Sequence, residues 1–509
     1  MMKYKHLIKG CLILAAIGIA FKSDSNWASK FLTISTNGII TYYPDEKGNT
    51  IPDFSQVGYH HGNKEIPEVK VVKTVSPVDG DARELLQKAI DEVSALKPDI
   101  NGFRGTILIK KGEYLVTGSL KIATDGIVLR GEGNDEHGTR LIADGKGARS
   151  LIQVSGKGKL FEIPNTKMII SDNYVPTGAK SFHVNSSKTS FKPGDKIILS
   201  LKVNEKWIQD LQMDQIITRN GTKQWEAKDY ILNYEREITA VKGNKITIDN
   251  PVVMAIDKQY GGAEIYRYEY NGRLKEIGIE NILFKSAYTS AIDEDHGWVA
   301  VNFNHIENGW IRNITSKYFG FACVSLESGA KNITVKDAKC LDAKSIITGG
   351  RRYSFNNNGQ QNLFMNLEST EARHDFVTGA KTCGPNVFYN GKARNTHADI
   401  GPHHRWASGT LFDNIDTDGE INIQDRGNWG SGHGWSGVTQ VLWNCNVEGA
   451  AVQNPWVSGK NYAIGLKGKK LEGRLKGKPE GEWEGLNKPG LYPSSLYMAQ
   501  LIARKAQNK

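Results

Sequence analysis

A short segment built around one asparagine recurs along the second half of the chain. IENILF (279–284), IRNITS (311–316), LFMNLE (363–368), VFYNGK (387–392), LFDNID (411–416) and VLWNCN (441–446) align on Asn281, Asn313, Asn366, Asn390, Asn414 and Asn444. VKDAKC (335–340) fits the same register with Asp337 in the asparagine slot. Successive spacings are 32, 24, 29, 24, 24 and 30 residues. A repeat of this length with one variable loop implies a solenoid, one coil per repeat. The alternating apolar context makes each segment a strand. Asparagine suits a tight bend because it tolerates the left-handed backbone conformation, and stacked asparagines can hydrogen-bond along the stack.

Upstream, GDARELLQKAIDEVSALK (80–97) has the spacing of an amphipathic helix, with Leu85, Leu86, Ala89, Ile90, Val93 and Leu96 apolar and Asp81 as N-cap. GTILIKKGEYLVTGSLKIATDGIVLRGEG (105–133) follows as short β runs punctuated by glycine. Together these segments resemble the opening of pectate-lyase-like right-handed parallel β-helices. That resemblance implies an all-β solenoid over roughly residues 80–450, with the helix covering its open end.

The expected organisation has six parts. Residues 1–20 read as a signal peptide: Lys3, Lys5 and Lys9 precede the apolar run Cys11–Ala20, with Gly18-Ile19-Ala20 as a cleavage site. Residues 21–75 form an N-terminal β segment, and 76–159 hold the capping helix and first coils. Residues 160–265 break the pattern and read as an inserted small β module. Residues 266–460 form the main β-helix with the cleft. Residues 461–509 are a basic C-terminal extension with a terminal helix starting at Ser494 or Ser495. The expected location is secreted or periplasmic. No stretch is long enough to span a membrane.

The net charge of +10 is concentrated at the ends. Residues 1–20 carry +3 and residues 466–509 carry +6, which leaves +1 for the rest. This near-neutral core and export disfavour nucleic-acid binding. An acidic ligand must be attracted by local charge. The spacing of Cys323, Cys340, Cys383 and Cys445 fits no zinc motif, and either a disulfide or buried single cysteines suits an exported β-helix.

Five of the twelve histidines lie between His374 and His433. They occur in RHDFVTG (373–379), HADIGPHHRW (397–406) and QDRGNWGSGHGW (424–435), about one coil apart. Counted from the ladder asparagines, His374 and His397 fall nearly level, as do Asp375 and Asp399. Asp425 and Arg426 continue the row. Histidine moves protons near neutral pH, and titratable clusters mark functional sites.

The expected catalytic set is His374, His397, Asp399, His403, His404 and Arg405. His403 or His404 is the expected base, His374 and His397 the acid or carboxylate partners, and Asp399 and Asp375 orient imidazoles. Arg351, Arg352, Arg373, Arg394, Arg426, Trp429, His433 and Trp435 are the expected substrate-binding residues. Trp406 also borders the cluster, and indole faces suit sugar rings. The run Asp293-Glu294-Asp295 could ligate Ca²⁺. No other cofactor is implied, and a monomer is expected.

The chemistry expected of this set is β-elimination on a uronic-acid polysaccharide. It needs the uronate carboxylate neutralised, a base for the C5 proton, and an acid for the leaving oxygen. The three blocks resemble exported β-helix carbohydrate enzymes of Bacteroidetes, with polysaccharide lyase family 29 as the family. That resemblance implies chondroitin, dermatan or hyaluronan as substrate. Two alternatives stay open. NTHADIG (395–401) and GHG (432–434) resemble polygalacturonase segments, and so a glycoside hydrolase, but hydrolysis needs convergent carboxylates. A non-catalytic glycan-binding solenoid would carry aromatic platforms without an acid–base set.

Overall fold

The computed structural model describes residues 26–186 and 190–507, so the signal-peptide reading of residues 1–20 lies outside the described residues. One continuous sheet of 26 strands winds as a parallel β-helix. On one face, Leu274–Ser286 pairs with Ile306–Lys317, then Ala330–Leu341, Leu363–Thr370, Cys383–Arg394 and Ala407–Asp413, all parallel. On a second face, Tyr353–Asn357, His374–Thr378, Asp399–Pro402 and Glu420–Ile423 stack in the same order.

The asparagine repeat is the bend in the first face. Asn281, Asn313, Asp337, Asn366, Asn390, Asn414 and Asn444 all have positive φ, between 51° and 60°. Asn313 donates to Asn281 at 2.7 Å, Asn366 to Asp337 at 2.7 Å, Asn390 to Asn366 at 2.8 Å and Asn444 to Asn414 at 2.9 Å. At Asn414 the stack turns elsewhere: its Nδ2 donates to Asp413 and to the carbonyl of Ser494. Between the sheets the core is a column of stacked side chains. Phe364, Phe388 and Phe412 repeat at ring separations of 4.7 and 5.4 Å.

Helix α1 (Arg83–Ser94) closes the N-terminal end. Leu86, Ala89, Ile90 and Val93 are buried against Val75, Ile107 and Ile109. Leu85 and Leu96 are exposed. Asp81 accepts the Arg83 N–H at 3.0 Å. Cys323 and Cys340 form a disulfide, while Cys383 and Cys445 are buried free thiols.

Between residues 160 and 270 the chain builds a separate antiparallel sheet of seven strands, centred on Lys196–Lys202, Ile231–Lys242 and Ala263–Tyr270. Helix α2 (Glu205–Asp210) is capped by Asn204, whose side chain accepts the Trp207 N–H. The module packs on the solenoid through Trp207, Trp225, Trp406 and Trp435, all buried.

A further apolar row on the solenoid is covered from two parts of the chain. Helix α3 (Leu496–Gln507) and residues 51–57 pack on the outward row Leu363, Val387, Leu411 and Val441. Removing that apolar row from water is the driving force for docking. Asp413 anchors α3, accepting from Ser495 Oγ at 2.7 Å and Tyr497 N at 2.8 Å. No helix among the described residues is long and apolar enough to cross a membrane.

Candidate active site

Three consecutive coils and one loop frame a pocket of about 570 Å³ on the second face. Tyr353 pairs with His374 in adjacent strands, and Asp399, His403 and His404 come from the next coil. Arg426, Trp429 and His433 come from the loop beyond. That loop is held by backbone pairing: Arg405 N–H donates to the His433 carbonyl and Trp406 N–H to the Trp435 carbonyl, both at 3.0 Å. This pairing sets His404 beside His433. The inserted module secures the far side, with Trp225 Nε1 on the Gly432 carbonyl and Lys223 N on the Ser431 carbonyl. Gly430 has φ 54°, and a Cβ there would lie 2.0 Å from His433 Cε1, so only glycine admits the imidazole.

The polar anchor is Asp399. Its main-chain carbonyl lies 2.6 Å from His374 Nδ1 and its Oδ1 at 3.2 Å. A carbonyl only accepts, so His374 carries its proton on Nδ1 and leaves Nε2 as a buried lone pair. Arg426 grips the same carboxylate from the other side. Burial pushes the Asp399 carboxyl up, but Arg426 and His374 outweigh it and hold it well below the usual carboxylate range.

Above this pair lie four imidazoles and a phenol. His403 Nε2 is 3.0 Å from Tyr353 Oη. Ring centroids are 4.5 Å apart for His374–His403, 5.1 Å for His403–His404, 5.1 Å for His403–His433 and 4.9 Å for His404–His433. Burial, joined by neighbouring positive charge at His403, His404 and His433 and opposed by Asp399 at His374, keeps every ring neutral. It lowers His404 to about 4 and His433 to about 3, and depresses His374 and His403 as well. Nδ1 of His403, His404 and His433 has no hydrogen-bond partner. Tyr353 is shifted upward by burial, with Arg373 opposing. It therefore stays protonated at neutral pH. Arg373 lines the rim and donates to the Gly349 carbonyl. Trp429 is 38% exposed, with Arg474 4.7 Å and Arg426 5.6 Å from its ring centre.

Of the expected residues, His374, Asp399, His403, His404, Arg373, Arg426, Trp429 and His433 line this pocket. The others sit elsewhere. His397 turns into a shallower neighbouring pocket and binds Glu371 at 2.9 Å. Counted from the ladder, His374 and His397 differ by one residue, which is enough to change sides. Asp375 is buried, accepts from Ser369 Oγ at 2.5 Å, and is raised to about 6 by burial, so it orients no imidazole.

Arg405 reaches back to Ser431 at 2.9 Å rather than into the pocket. Arg351 is paired with Glu294. Arg352 is buried on the carbonyls of Ser345 and Glu371. Arg394 is paired with Asp416. Trp435 and Trp406 are fully buried, with Nε1 on the Leu211 carbonyl and Met254 Sδ respectively. They anchor the histidine loops and offer no face to a sugar.

The acidic run is likewise engaged. Asp293 accepts from Thr289, Glu294 from Arg351, and Asp295 from Gly147. Among the described residues no group of three or more His, Cys, Asp or Glu is arranged to hold a metal ion.

Sequence reasoning missed Tyr353. It stands directly after Arg351-Arg352, one coil before His374, and its register with that histidine was the available signal. Arg474, from the basic extension, was missed too.

No family model matches the sequence, and no curated protein matches it. Among solved structures the chain is similar to the tailspike protein gp49 from Pseudomonas phage LKA1, at 16% identity over 75% of this chain, with a TM-score of 0.45. The chain spans 55% of that tailspike's length. It is also similar to the alginate lyase from Paenibacillus sp. str. FPU-7, at 10% identity, covering 82% of this chain and 100% of that one, TM-score 0.38. A third is the polygalacturonase from Erwinia carotovora ssp. carotovora, at 10% identity, covering 83% and 96%, TM-score 0.37.

Proposed function

We propose that the protein is an exported polysaccharide lyase that cleaves a uronic-acid-containing polysaccharide by β-elimination, with a glycosaminoglycan such as chondroitin, dermatan or hyaluronan as the substrate class. One observation carries this reading. The pocket gathers neutral imidazoles and a protonated phenol beside arginine, while its single lining carboxylate, Asp399, is locked as an anion.

Each requirement of the reaction has a group. Arg373, on the pocket rim, neutralises the uronate carboxylate and so acidifies the C5 proton. His404 is the base: it lines the pocket, is half-buried and is neutral. A bound uronate brings negative charge that raises its proton affinity towards the working pH. Tyr353 donates its phenolic proton to the departing glycosidic oxygen, and His403, 3.0 Å away, orients that hydroxyl. The C5–H electrons form the C4–C5 double bond as the C4–O bond breaks, and the proton from Tyr353 completes the new hydroxyl. Trp429 supplies the exposed face for a neighbouring sugar.

Hydrolysis asks for two working carboxyl groups, one able to hold a proton. Asp399 is held ionised by a buried guanidinium and does not meet that need. The deciding assay incubates the protein with uronate polysaccharides and follows both products. Absorbance of a 4,5-unsaturated uronate means a lyase. Reducing ends without that absorbance mean a hydrolase. Retained binding with neither means a glycan-binding solenoid.

A further inference from the structure

A second cavity, of about 690 Å³, lies outside this cleft, where the N-terminal segment, the inserted module and the late-coil loop 454–460 meet. We infer that it is a separate glycan-binding site for uncharged sugar units. Trp456 stands in it 44% exposed, and Tyr174 and Tyr260 line it as well. Three aromatic rings in a concavity of that size fit a short oligosaccharide, whose C–H faces stack on rings while its hydroxyls meet polar rims.

The walls are built before any ligand arrives. Tyr174 donates its hydroxyl to Asn49 at 2.8 Å, and buried Asn49 donates in turn to Asp45 at 3.1 Å. Tyr260 donates to Asp210 at 2.8 Å. The Trp456 loop is pinned by Trp207 Nε1 on Ser458 Oγ at 2.8 Å. Preorganised walls lower the cost of binding.

Charge sets the ligand class. Asp45, Glu46 and Asp257 face only Lys47 and Lys460, and no arginine or histidine lines the cavity. Lys460 is itself shared between Asp45 and Glu482. A slightly acidic cavity repels uronates and sulfates, and carboxylates accept well from sugar hydroxyls. The cavity shares no lining residue with the histidine pocket. The ligand is therefore a neutral glycan, separate from the uronate polymer of the cleft, and its binding here does not rest on the lyase reading.

The test is calorimetric titration of the full chain with two neutral probes, cellohexaose and N-acetylated chitohexaose. Wild type and His404→Ala are expected to bind at least one probe alike, and Trp456→Ala at least tenfold more weakly. Trp456→Phe, which keeps a ring, is expected to recover most of the binding. Because Trp456 is exposed, its loss leaves the fold intact, which thermal melting checks. Absence of binding in wild type overturns the inference, as does equal binding in Trp456→Ala. Loss in His404→Ala alone overturns it too, by moving the binding to the cleft. Failure of the lyase reading shows separately, as missing unsaturated product while the calorimetry is unchanged.

Discussion

His374 donates its Nδ1 proton to the main-chain carbonyl of Asp399 at 2.6 Å, and the Asp399 carboxylate is gripped by the buried guanidinium of Arg426. One residue thus fixes the tautomer of the innermost imidazole and ties two loops together. Asp399→Asn leaves Arg426 buried without its counter-charge. The expected cost is about 3 kcal/mol of stability, read by urea unfolding, with a fall in kcat. Because the folded carboxyl lies below its unfolded value, its stabilisation is present above about pH 3.9 and is lost below it. The variant should therefore lose the wild type's steep decline in that acid range.

Tyr353→Phe removes the acid while keeping the ring that packs on His374 at 4.8 Å. The expected loss is about 10²–10⁴-fold in kcat with little change in KM. Steady-state kinetics checks it. Activity within about threefold of wild type would remove Tyr353 from the mechanism.

His404 is lowered to about 4 by burial and by Arg405 and Arg426. A base must be unprotonated, so the acid limb of kcat/KM, which reports the free enzyme, should have its midpoint nearer pH 4 than the ordinary 6.5. Stability moves in the same window. The unfolded imidazole takes up a proton below about pH 6.5 while the folded one resists until about 4, so stability declines as pH falls through that interval. His404→Gln should lessen that decline by one imidazole's share, leaving those of His374, His403 and His433, and abolish elimination.

Asp375 separates position from proximity. It neighbours His374 in sequence, yet its carboxyl lies among Ser369 and Thr396, buried and raised to about 6. Asp375→Asn should keep activity within about threefold. It should also be less penalised than wild type as pH rises from 4 to 6, where the wild-type carboxyl must ionise on unfolding.

The ladder can be tested by backbone preference. Asn366 has φ 55°, donates to Asp337 and accepts from Asn390. Asn366→Ala should cost about 1–3 kcal/mol, from the left-handed conformation and lost hydrogen bonds. Asn366→Gly should cost less, because it relieves the first of these. Chemical denaturation compares them.

The coil architecture was legible because a bend residue with its own backbone demand recurs once per turn. Seven positions shared that demand, and all seven have positive φ. The capping helix was legible from the spacing of Leu86, Ala89, Ile90 and Val93. The histidine cluster was legible only to within a residue. His374 and His397 differ by one place against the ladder, and a strand turns one residue of difference into opposite sides. The tryptophans were read by composition, and composition does not say whether Trp435 faces a sugar or the inserted module. Tyr353 was hidden because its role depends on a neighbour 21 residues away in sequence and adjacent in space.

The most direct measurement of the central claim is ultraviolet absorbance during incubation of wild type, Tyr353→Phe and His404→Gln with hyaluronan, chondroitin and dermatan. Wild type should give rising absorbance of a 4,5-unsaturated uronate on at least one polymer, and either variant almost none. New reducing ends without that absorbance, or unsaturated product made equally by both variants, would contradict that claim.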